Sequence, residues 1–185
     1  MQITVSQLKT AMPNVASNIT KNTWLKSYTV QQIVDLINKY SDDFAINTKL
    51  RMAHFLAQCA HESGELRYTE EIASGKAYEG RKDLGNTQKG DGVKFKGRGI
   101  IQLTGRANYT KYKAFCGYDV VSDPTLLSKP VGAIKSAMWF WKTHDLNKYA
   151  DADNVLTITK KINGGTNGLT ARKNYLTKAK KALGI

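Results

Sequence analysis

The sequence predicts a single, mainly α-helical domain interrupted by one long irregular loop. Apolar residues recur at steps of three and four through most of the chain, which is the helical period. A length of 185 residues, with 41% hydrophobic and 23% charged residues, is enough for one domain with a genuine core. Between residues 74 and 97 the helical period disappears. We therefore expect residues 1–185 to fold as one domain.

Three helices are predicted before the loop. The first covers residues 4–11, and the second covers the segment "TVQQIVDLINKY", residues 29–40, whose apolar residues follow the helical period. The third begins after an Asn-Thr pair, residues 47–48, either member of which can cap it. It ends at Glu62, because Gly64 supplies a stop signal.

The segment from Ser74 to Gly97 is rich in Gly, Lys and Asp and follows neither the helical nor the strand period. It predicts a long surface loop or a weak hairpin. A loop of this length inside a compact domain is more often functional than idle. Helical spacing then resumes in four segments: residues 104–115, 131–143, 157–162 and 170–183.

The chain is strongly basic. Its 28 Lys and Arg residues against 15 Asp and Glu residues give a formal net charge of +13, which attracts polyanions of any kind. Nucleic acid, anionic lipid and the anionic polymers of bacterial envelopes all qualify, and a merely soluble basic surface is the alternative. The C-terminal helix, residues 168–183, has the pattern of a basic amphipathic helix. It can be a packed terminal helix, an element attracted to an anionic envelope, or both.

Neither the cysteines nor the histidines predict a metal site. Cys59 and Cys116 stand far apart, so free thiols are the default and a disulfide between them is the alternative. His54 and His61 share a helix face, but no third ligand follows at a metal-binding spacing. We expect no metal and no cofactor.

The first residues, "MQITVSQLKTAMPNV", lack the basic start and apolar stretch of a signal peptide, and no run of about 18 apolar residues occurs. We expect a soluble chain made in the cytoplasm. If its target is extracellular, another factor must release it.

The stretch "AHESGEL", residues 60–66, places Glu62 at a helix end. Its candidate partners are three nearby acids: Glu65, Glu70 and Glu71. On a continuous helix, nine residues rise about 13.5 Å and rotate about 900°, which would put Glu62 and Glu71 on opposite faces. The Ser-Gly break at residues 63–64 allows the chain to turn, so that Glu71 can come back across a cleft. Glycoside hydrolysis uses such a carboxyl pair, but among 15 acids a coincidental pair is also expected.

A second notable segment is "FKGRGIIQLTGRANYTKY", residues 95–112. It lacks the third glycine of a dinucleotide-binding loop and the GK[ST] ending of a P-loop, so it does not predict a nucleotide site. It presents a polar and aromatic mixture typical of sugar binding: Gln102, Thr104, Asn108 and Tyr109.

Three segments in this order, "AHESGELRYTEE", "KGRGIIQLTGRANY" and "INGGTNGLTAR", resemble the catalytic domain of glycoside hydrolase family 19. That family is shared by plant-type chitinases and many phage endolysins. The resemblance covers residues 50–172, whereas residues 1–45 carry no matching motif. It implies a lysozyme-like α-helical domain with the long loop or a small hairpin beside the active-site cleft.

The resemblance also implies roles for individual residues. Glu62 matches the general acid and Glu71 the general base of an inverting mechanism. Arg172 matches an arginine that orients the catalytic carboxylates, and we expect it near Glu71, where it would keep the base ionised. The remaining matches are sugar- and water-holding Gln102 and Thr104, substrate-contacting Asn108 and Tyr109, and cleft-lining Asn163.

Several neighbouring residues have an alternative, structural interpretation. His61 can tune Glu62, although a histidine late in an amphipathic helix is more often structural. Glu65 and Glu70 are predicted to be solvated or salt-bridged, with Glu70 as the substitute base. Trp139 and Trp141 point to different helix faces, so one of them should be in the core, and sugar stacking is the alternative for either.

The combined prediction is a monomeric endolysin that hydrolyses β-1,4 bonds of bacterial peptidoglycan. Compact size, basic charge and the absence of a signal peptide favour peptidoglycan over chitin. Two alternatives stay open at this point: a chitinase acting on N-acetylglucosamine polymers, and a non-enzymatic protein that binds envelope or nucleic acid. Nucleic acid is not the expected partner of the enzyme.

Overall fold

A computed structural model describes all 185 residues and contains ten α-helices. They are α1 (Val5–Ala11), α2 (Val15–Lys21), α3 (Val30–Tyr40), α4 (Lys49–Ser63), α5 (Asp91–Lys94), α6 (Arg106–Cys116), α7 (Pro130–Thr143), α8 (Leu146–Asp151), α9 (Val155–Asn163) and α10 (Leu169–Leu183). Four short 3-10 turns lie at Asp42–Phe44, Lys76–Tyr78, Lys82–Leu84 and Pro124–Leu127. There is no sheet, only isolated bridges that join Arg98 to Glu70 and to Leu103.

The predicted starts of the early helices are confirmed by their caps. Thr4 Oγ1 accepts a hydrogen bond from the backbone N–H of Gln7, and Gln7 Oε1 accepts one from the backbone N–H of Thr4. Thr29 and Gln32 form the same reciprocal capping box at the start of α3. Each box satisfies backbone N–H groups that the first helical turn leaves without partners.

Helix α4 lies at the centre of the molecule. Ten of its fifteen residues are buried, and α10 packs along it while also contacting α1. Thr48 caps its first turn, and Gly64, with φ 56°, ends it in the left-handed conformation that glycine adopts most readily. A helix held on so many sides is a rigid base for the residues of its last turn.

Both tryptophans of α7 belong to the core, which is one cluster of 40 buried residues. Trp141 is fully buried, with its ring edge-on to Phe55 at 5.5 Å between centroids. Trp139 is 8% exposed and packs edge-on against Tyr112. A sugar-stacking role for either tryptophan is therefore wrong, because both helix faces on which they lie are covered.

The long loop contains turns and the single-turn helix α5, so the hairpin alternative is wrong. Backbone N–H groups are satisfied by carboxylates instead of by a strand partner. Glu79 accepts hydrogen bonds from the N–H groups of Gly90 and Gly92 at 2.6 and 2.8 Å. Buried Asp91 forms a two-point ion pair with Arg106 of α6, at 2.5 and 2.8 Å. The loop is thus fixed to the helix that follows the glycine-rich segment.

Two short helices, α2 and α8, were not predicted from the sequence. Each has two buried apolar or small residues four positions apart, namely Val15 and Ile19 in α2 and Leu146 and Ala150 in α8. A single such step does not establish a period. Both form because tertiary packing covers them.

Cys59 and Cys116 are free, as the default interpretation has it. Burial raises the pKa of the Cys59 thiol well above its ordinary value. No three His, Cys, Asp or Glu side chains lie together in a way that could hold a metal ion. None of the helices is both long and apolar enough to span a bilayer.

Buried His54 of α4 predicts a pH-dependent stability. Its Nε2 lies 2.7 Å from Asp153 Oδ1, and burial lowers its pKa despite that carboxylate. Below about pH 6.5 the unfolded chain binds a proton that the folded His54 does not, so the free energy of unfolding falls as the pH drops.

We expect His54→Gln to reduce this slope between pH 7 and pH 5, by up to about 1.4 kcal/mol per pH unit, in urea unfolding followed by circular dichroism. The pKa of His61 is also lowered, so part of the slope should remain. An identical slope in the variant and the wild-type chain would contradict the assignment.

Candidate active site

Glu62 lies in the last turn of α4, directly before a left-handed turn. Gly64, Glu65 and Leu66 have φ values of 56°, 56° and 65°, so three successive residues leave the helical path. The N–H of Leu66 donates to Ser63 Oγ at 2.9 Å, which ties the turn to the helix end. Positive φ is rare for residues other than glycine, so the turn is held by its surroundings.

Glu65 holds that turn in place. Its buried carboxylate accepts hydrogen bonds from the backbone N–H and side-chain amide of Asn14, at 2.5 and 3.1 Å, and from the Tyr175 hydroxyl at 3.0 Å. No cation pairs with it. The prediction that Glu65 is solvated or salt-bridged is wrong, since the start of α2 and the side of α10 cover it. Its role is structural.

Glu62 is paired with Arg172, whose side chain is 1% exposed. The guanidinium donates to Glu62 Oε1 and also to Gln58 Oε1, at 2.5 Å. Arg172 was expected near Glu71, and that expectation is wrong because α10 packs along α4 and carries the arginine to Glu62. The pair fixes one carboxylate oxygen, while Glu62 Oε2 has no protein partner.

His61 lies beside this pair without a hydrogen bond to it. A Cβ atom added at Gly168 would come within 2.3 Å of the His61 ring, so the imidazole packs directly on the glycine backbone. Burial, together with the nearby Arg172 charge, lowers the pKa of His61 below its ordinary value. At neutral pH the ring is therefore uncharged. Tuning of Glu62 by His61 stays a prediction.

Glu71 is held by neutral donors. Its Oε1 accepts a hydrogen bond from the Tyr78 hydroxyl at 3.0 Å, and its Oε2 accepts one from the Gly97 N–H at 3.1 Å. The Glu71 backbone N–H donates to the Gly97 carbonyl at 2.9 Å, and Lys96 Nζ donates to the Glu71 carbonyl at 2.9 Å. The carboxylate is thus oriented without a direct ion pair.

Gln102 and Thr104 converge on the same point as Glu71. A Cβ atom added at Gly97 would lie 2.8 Å from Gln102 Oε1, 3.3 Å from Glu71 Oε2 and 3.3 Å from Thr104 Oγ1. Gln102 has a left-handed backbone, with φ 55°, and donates through Nε2 to the Gly99 carbonyl at 2.8 Å. Three oxygen-bearing side chains around one glycine form a polar cradle that can hold a water molecule.

The cradle predicts a sharp effect for Gly97→Ala. Gly97 is not left-handed, so alanine strains no backbone, and its methyl group would displace the three side chains. We expect at least about tenfold slower turnover of a chito-oligosaccharide with little change in melting temperature. Gly165→Ala is the matched control, because only one atom lies within 4 Å of its added Cβ, at 3.9 Å. Equal activities of the two variants would contradict the role of the cradle.

Glu70 is salt-bridged, which agrees with the prediction that it is a solvated or salt-bridged acid. It accepts a hydrogen bond from Trp24 Nε1 at 2.9 Å and forms ion pairs with Lys96 and Arg98, both at 3.2 Å. Burial works against ionisation, but the indole and the two cations outweigh it and lower the pKa of Glu70. Glu71 rather than Glu70 meets the polar cradle.

Tyr109 lies in the protein interior. It is fully buried, its hydroxyl donates to the Lys96 carbonyl at 2.7 Å, and it accepts a hydrogen bond from Arg98 at 3.2 Å. The predicted substrate contact is wrong because the ring lies on the inner face of α6, edge-on to Phe95. Its function is to hold the glycine-rich segment.

The two predicted asparagines are in different places. Asn108, partly exposed in the first turn of α6, donates to the Thr104 carbonyl at 2.8 Å, so it adjoins the cradle. Asn163 is exposed at the end of α9 and donates to the Asn167 carbonyl at 3.0 Å. It has no hydrogen bond to any other predicted site residue.

A hollow of about 310 Å³ adjoins Glu71. Its walls are residues 21–24, residues 67–72 and Lys96. No sequence pattern indicated that residues 21–24 would reach the site, because nothing local links them to the acids. Tyr78, the donor to Glu71, was missed for the same reason, since it lies in the loop without periodicity.

The sequence of this chain matches a known protein family. The family model described as "Chitinase class I", for glycoside hydrolase family 19, matches residues 38–165. That range is more than half of the chain and contains the acids and the cradle. The chain belongs to glycoside hydrolase family 19.

Relatives in family 19 come from bacteria and plants. A glycosyl hydrolase family 19 domain-containing protein of Haemophilus influenzae is 28% identical over 176 residues, which cover 78% of this chain and 86% of that protein. An endochitinase of Arabidopsis thaliana is 34% identical over 166 residues, covering 85% of this chain and 56% of the plant protein. The chain thus spans little more than half the length of the plant endochitinase, and its compact size fits the bacterial relative.

The fold agrees with that of solved family 19 enzymes. The crystal structure of chitinase C from Streptomyces griseus superposes with a TM-score of 0.73 at 23% identity, covering 98% of this chain and 76% of that one. The predicted mainly α, lysozyme-like fold is confirmed. Family membership makes this chain a chitinase-like glycoside hydrolase.

Proposed function

We propose that this family 19 glycoside hydrolase is an endolysin that hydrolyses β-1,4 bonds of bacterial peptidoglycan with inversion. The observation that carries the reaction is the cradle in which Glu71, Gln102 and Thr104 meet at Gly97. Glu71 is the general base and Glu62 the general acid. A pair of carboxyl groups, one to activate water and one to protonate the leaving group, is the machinery that inverting glycosidases use.

Glu62 protonates the leaving oxygen. Arg172 holds Glu62 Oε1, so Oε2 is the oxygen left to face the glycosidic bond. As the bond between C1 and the bridging oxygen breaks, the proton of Glu62 passes to that oxygen. Arg172 then stabilises the carboxylate that Glu62 becomes.

Glu71 activates the attacking water. Gln102 Oε1 and Thr104 Oγ1 orient the water in the cradle, and its proton passes to Glu71 as the oxygen attacks C1 from the opposite face of the sugar. The Tyr78 hydroxyl and the Gly97 N–H keep the Glu71 carboxylate in place. Asn108 and Asn163 are proposed to contact the flanking sugars.

Peptidoglycan is favoured as substrate by the charge and size of the chain. A net charge of +13 attracts the anionic polymers of bacterial envelopes, and the chain is compact and carries no disulfide. The exposed lysines of α10 can take part in this attraction, but its apolar residues pack against the protein, as Leu176, Ala179 and Leu183 are buried. We propose a monomer that reaches the wall after another factor releases it.

The test is mass spectrometry of the fragments released from purified peptidoglycan. We expect glycan fragments with intact peptides, and the reducing-end sugar identifies the bond. Release of peptides without glycan cleavage, or no release at all, would overturn the proposal.

A chitinase is the second candidate, favoured by the plant relatives, which are endochitinases. Its catalytic residues would be the same. Release of soluble sugar from purified chitin, with no clearing of purified cell walls, would establish it instead. Membership of a glycoside hydrolase family does not support the alternative of a non-enzymatic binding protein.

A further inference from the structure

Two of the cations that line the hollow beside Glu71 form no ion pair. Arg67 and Lys21 line it, and neither forms an ion pair or donates a side-chain hydrogen bond. Arg67 Nη1 is buried and lacks any hydrogen-bond partner. A buried donor without a partner is unfavourable, so a ligand or water molecule is needed to satisfy it.

The hollow is lined by more cations than carboxylates. Lys96 pairs with Glu70, and Glu71 is held by the Tyr78 hydroxyl and the Gly97 N–H. Three Lys and Arg side chains line the hollow against two carboxylates, Glu70 and Glu71, so the hollow carries one net positive charge. A neutral polysaccharide can accept hydrogen bonds from these cations, whereas an acidic one can also supply the opposite charge.

The surroundings of the two cations fit a saccharide substituent. Tyr68 is 43% exposed and Ile72 is 80% exposed at the rim of the hollow, and the Arg67 guanidinium lies 5.6 Å from the centre of the Tyr68 ring. Trp24 supplies a further aromatic wall, fixed by its hydrogen bond to Glu70. Apolar rims beside a guanidinium suit an amphiphilic group that ends in a carboxylate.

We infer that this hollow is a subsite for a carboxylate carried on a substituent of the sugar bound next to Glu71. Arg67 binds the carboxylate and Lys21 adds a second positive charge. The inference rests on the proposed function and deepens it, because the subsite distinguishes acidic glycans from chitin. In peptidoglycan the carboxylate can belong to the lactyl ether of a muramic acid that carries no peptide, or to the peptide itself, whose amide bond uses the lactyl carboxyl.

The competing explanation is that Arg67 and Lys21 serve the charge of Glu71. That explanation predicts equal losses on neutral and acidic substrates when either cation is removed. The carboxylate subsite predicts a loss on acidic substrates alone. A comparison of ligands with and without an acidic substituent therefore separates the two.

The experiment is calorimetric titration of the chain carrying Glu62→Gln, which prevents turnover. Three tetrasaccharides serve as probes: chitotetraose, the peptide-free alternating glucosamine–muramic acid oligomer, and the same oligomer with its peptides. We expect about tenfold tighter binding of the acidic probes at low salt, and loss of that preference with Arg67→Gln or Lys21→Gln. Lys9→Gln, on α1 and outside the hollow, is the charge-matched control.

A preference for the peptide-free probe alone assigns the lactyl carboxylate, and a preference for the peptide-bearing probe alone assigns a carboxylate of the peptide. A preference for both shows that the subsite accepts either carboxylate. Equal binding of all three probes, or equal weakening of all three by Arg67→Gln, would overturn the subsite. Hydrolysis of purified peptidoglycan by the wild-type chain is measured in parallel. Acid-selective binding without such hydrolysis would overturn the proposed function and leave the subsite standing.

Discussion

Replacing Glu62 with glutamine is expected to slow glycoside hydrolysis by about 10²- to 10⁴-fold while the fold stays intact. Glutamine has the same shape, and its amide oxygen can still accept the hydrogen bond from Arg172. It cannot protonate the leaving oxygen. The measurement is kcat/KM on a soluble chito-oligosaccharide and on purified cell walls, together with the melting temperature.

The Glu62→Gln result separates catalysis from structure because Arg172 is buried. Removing Arg172 itself would leave Gln58 and Glu62 without their partner. A loss of activity could then not be separated from a loss of stability. Wild-type activity of the glutamine variant would show that Glu62 is not the acid. A loss of activity that only parallels a fall in melting temperature would show a structural role instead.

Glu71→Gln is expected to have an effect of similar size, about 10²- to 10⁴-fold, because an amide cannot accept the proton of the attacking water. The Tyr78 hydroxyl can still donate to the amide oxygen, so the position of the side chain is preserved. Steady-state kinetics on the chito-oligosaccharide measure the loss. Substitution of a larger side chain would also disturb the cradle and is less informative.

Glu70→Gln is the matched control for the choice of base. It removes a partner of Lys96 and of buried Arg98, so we expect a stability loss of about 1–3 kcal/mol in denaturant unfolding. Turnover of the folded variant should stay close to that of the wild-type chain. An inactive Glu70→Gln beside an active Glu71→Gln would transfer the role of base to Glu70.

The long helices could be predicted because their signals are local. The end of α4 was predicted at Glu62, one residue early, from a glycine whose φ is 56° in the structure. Helix α6 begins at Arg106 instead of Thr104, since Gly105 between them has φ 91°. Short elements such as α2 and α8 form because other parts of the chain pack over them, and sequence periodicity does not predict such packing.

The candidate site was predictable only in part. The motif order identified Glu62, Glu71, Gln102 and Thr104, and the structure brings the last three together at Gly97. The partner of Arg172 depends on how α10 packs along α4, which is a tertiary property, so the expected contact with Glu71 was wrong.

The burial of individual site residues could not be predicted from the sequence either. Tyr109 and Asn108 are adjacent on α6, yet the first is fully buried and the second is partly exposed. A polar and aromatic mixture indicates sugar binding without showing which side chains reach the surface. Trp24 and Tyr78 lie in segments that carry no motif, so their presence at the site was not predicted. Only the tertiary fold places them there.

The central claim is that a general acid and a general base act on opposite faces of the sugar. The stereochemistry of the product tests this claim most directly. Proton NMR of a chito-oligosaccharide digest, recorded before mutarotation equilibrates the anomers, distinguishes the two outcomes. Attack by a water molecule that Glu71 activates predicts that the first product formed from the β-linked substrate is the α-anomer. A β-anomer as first product would require a double displacement with retention and would contradict the roles given to Glu62 and Glu71.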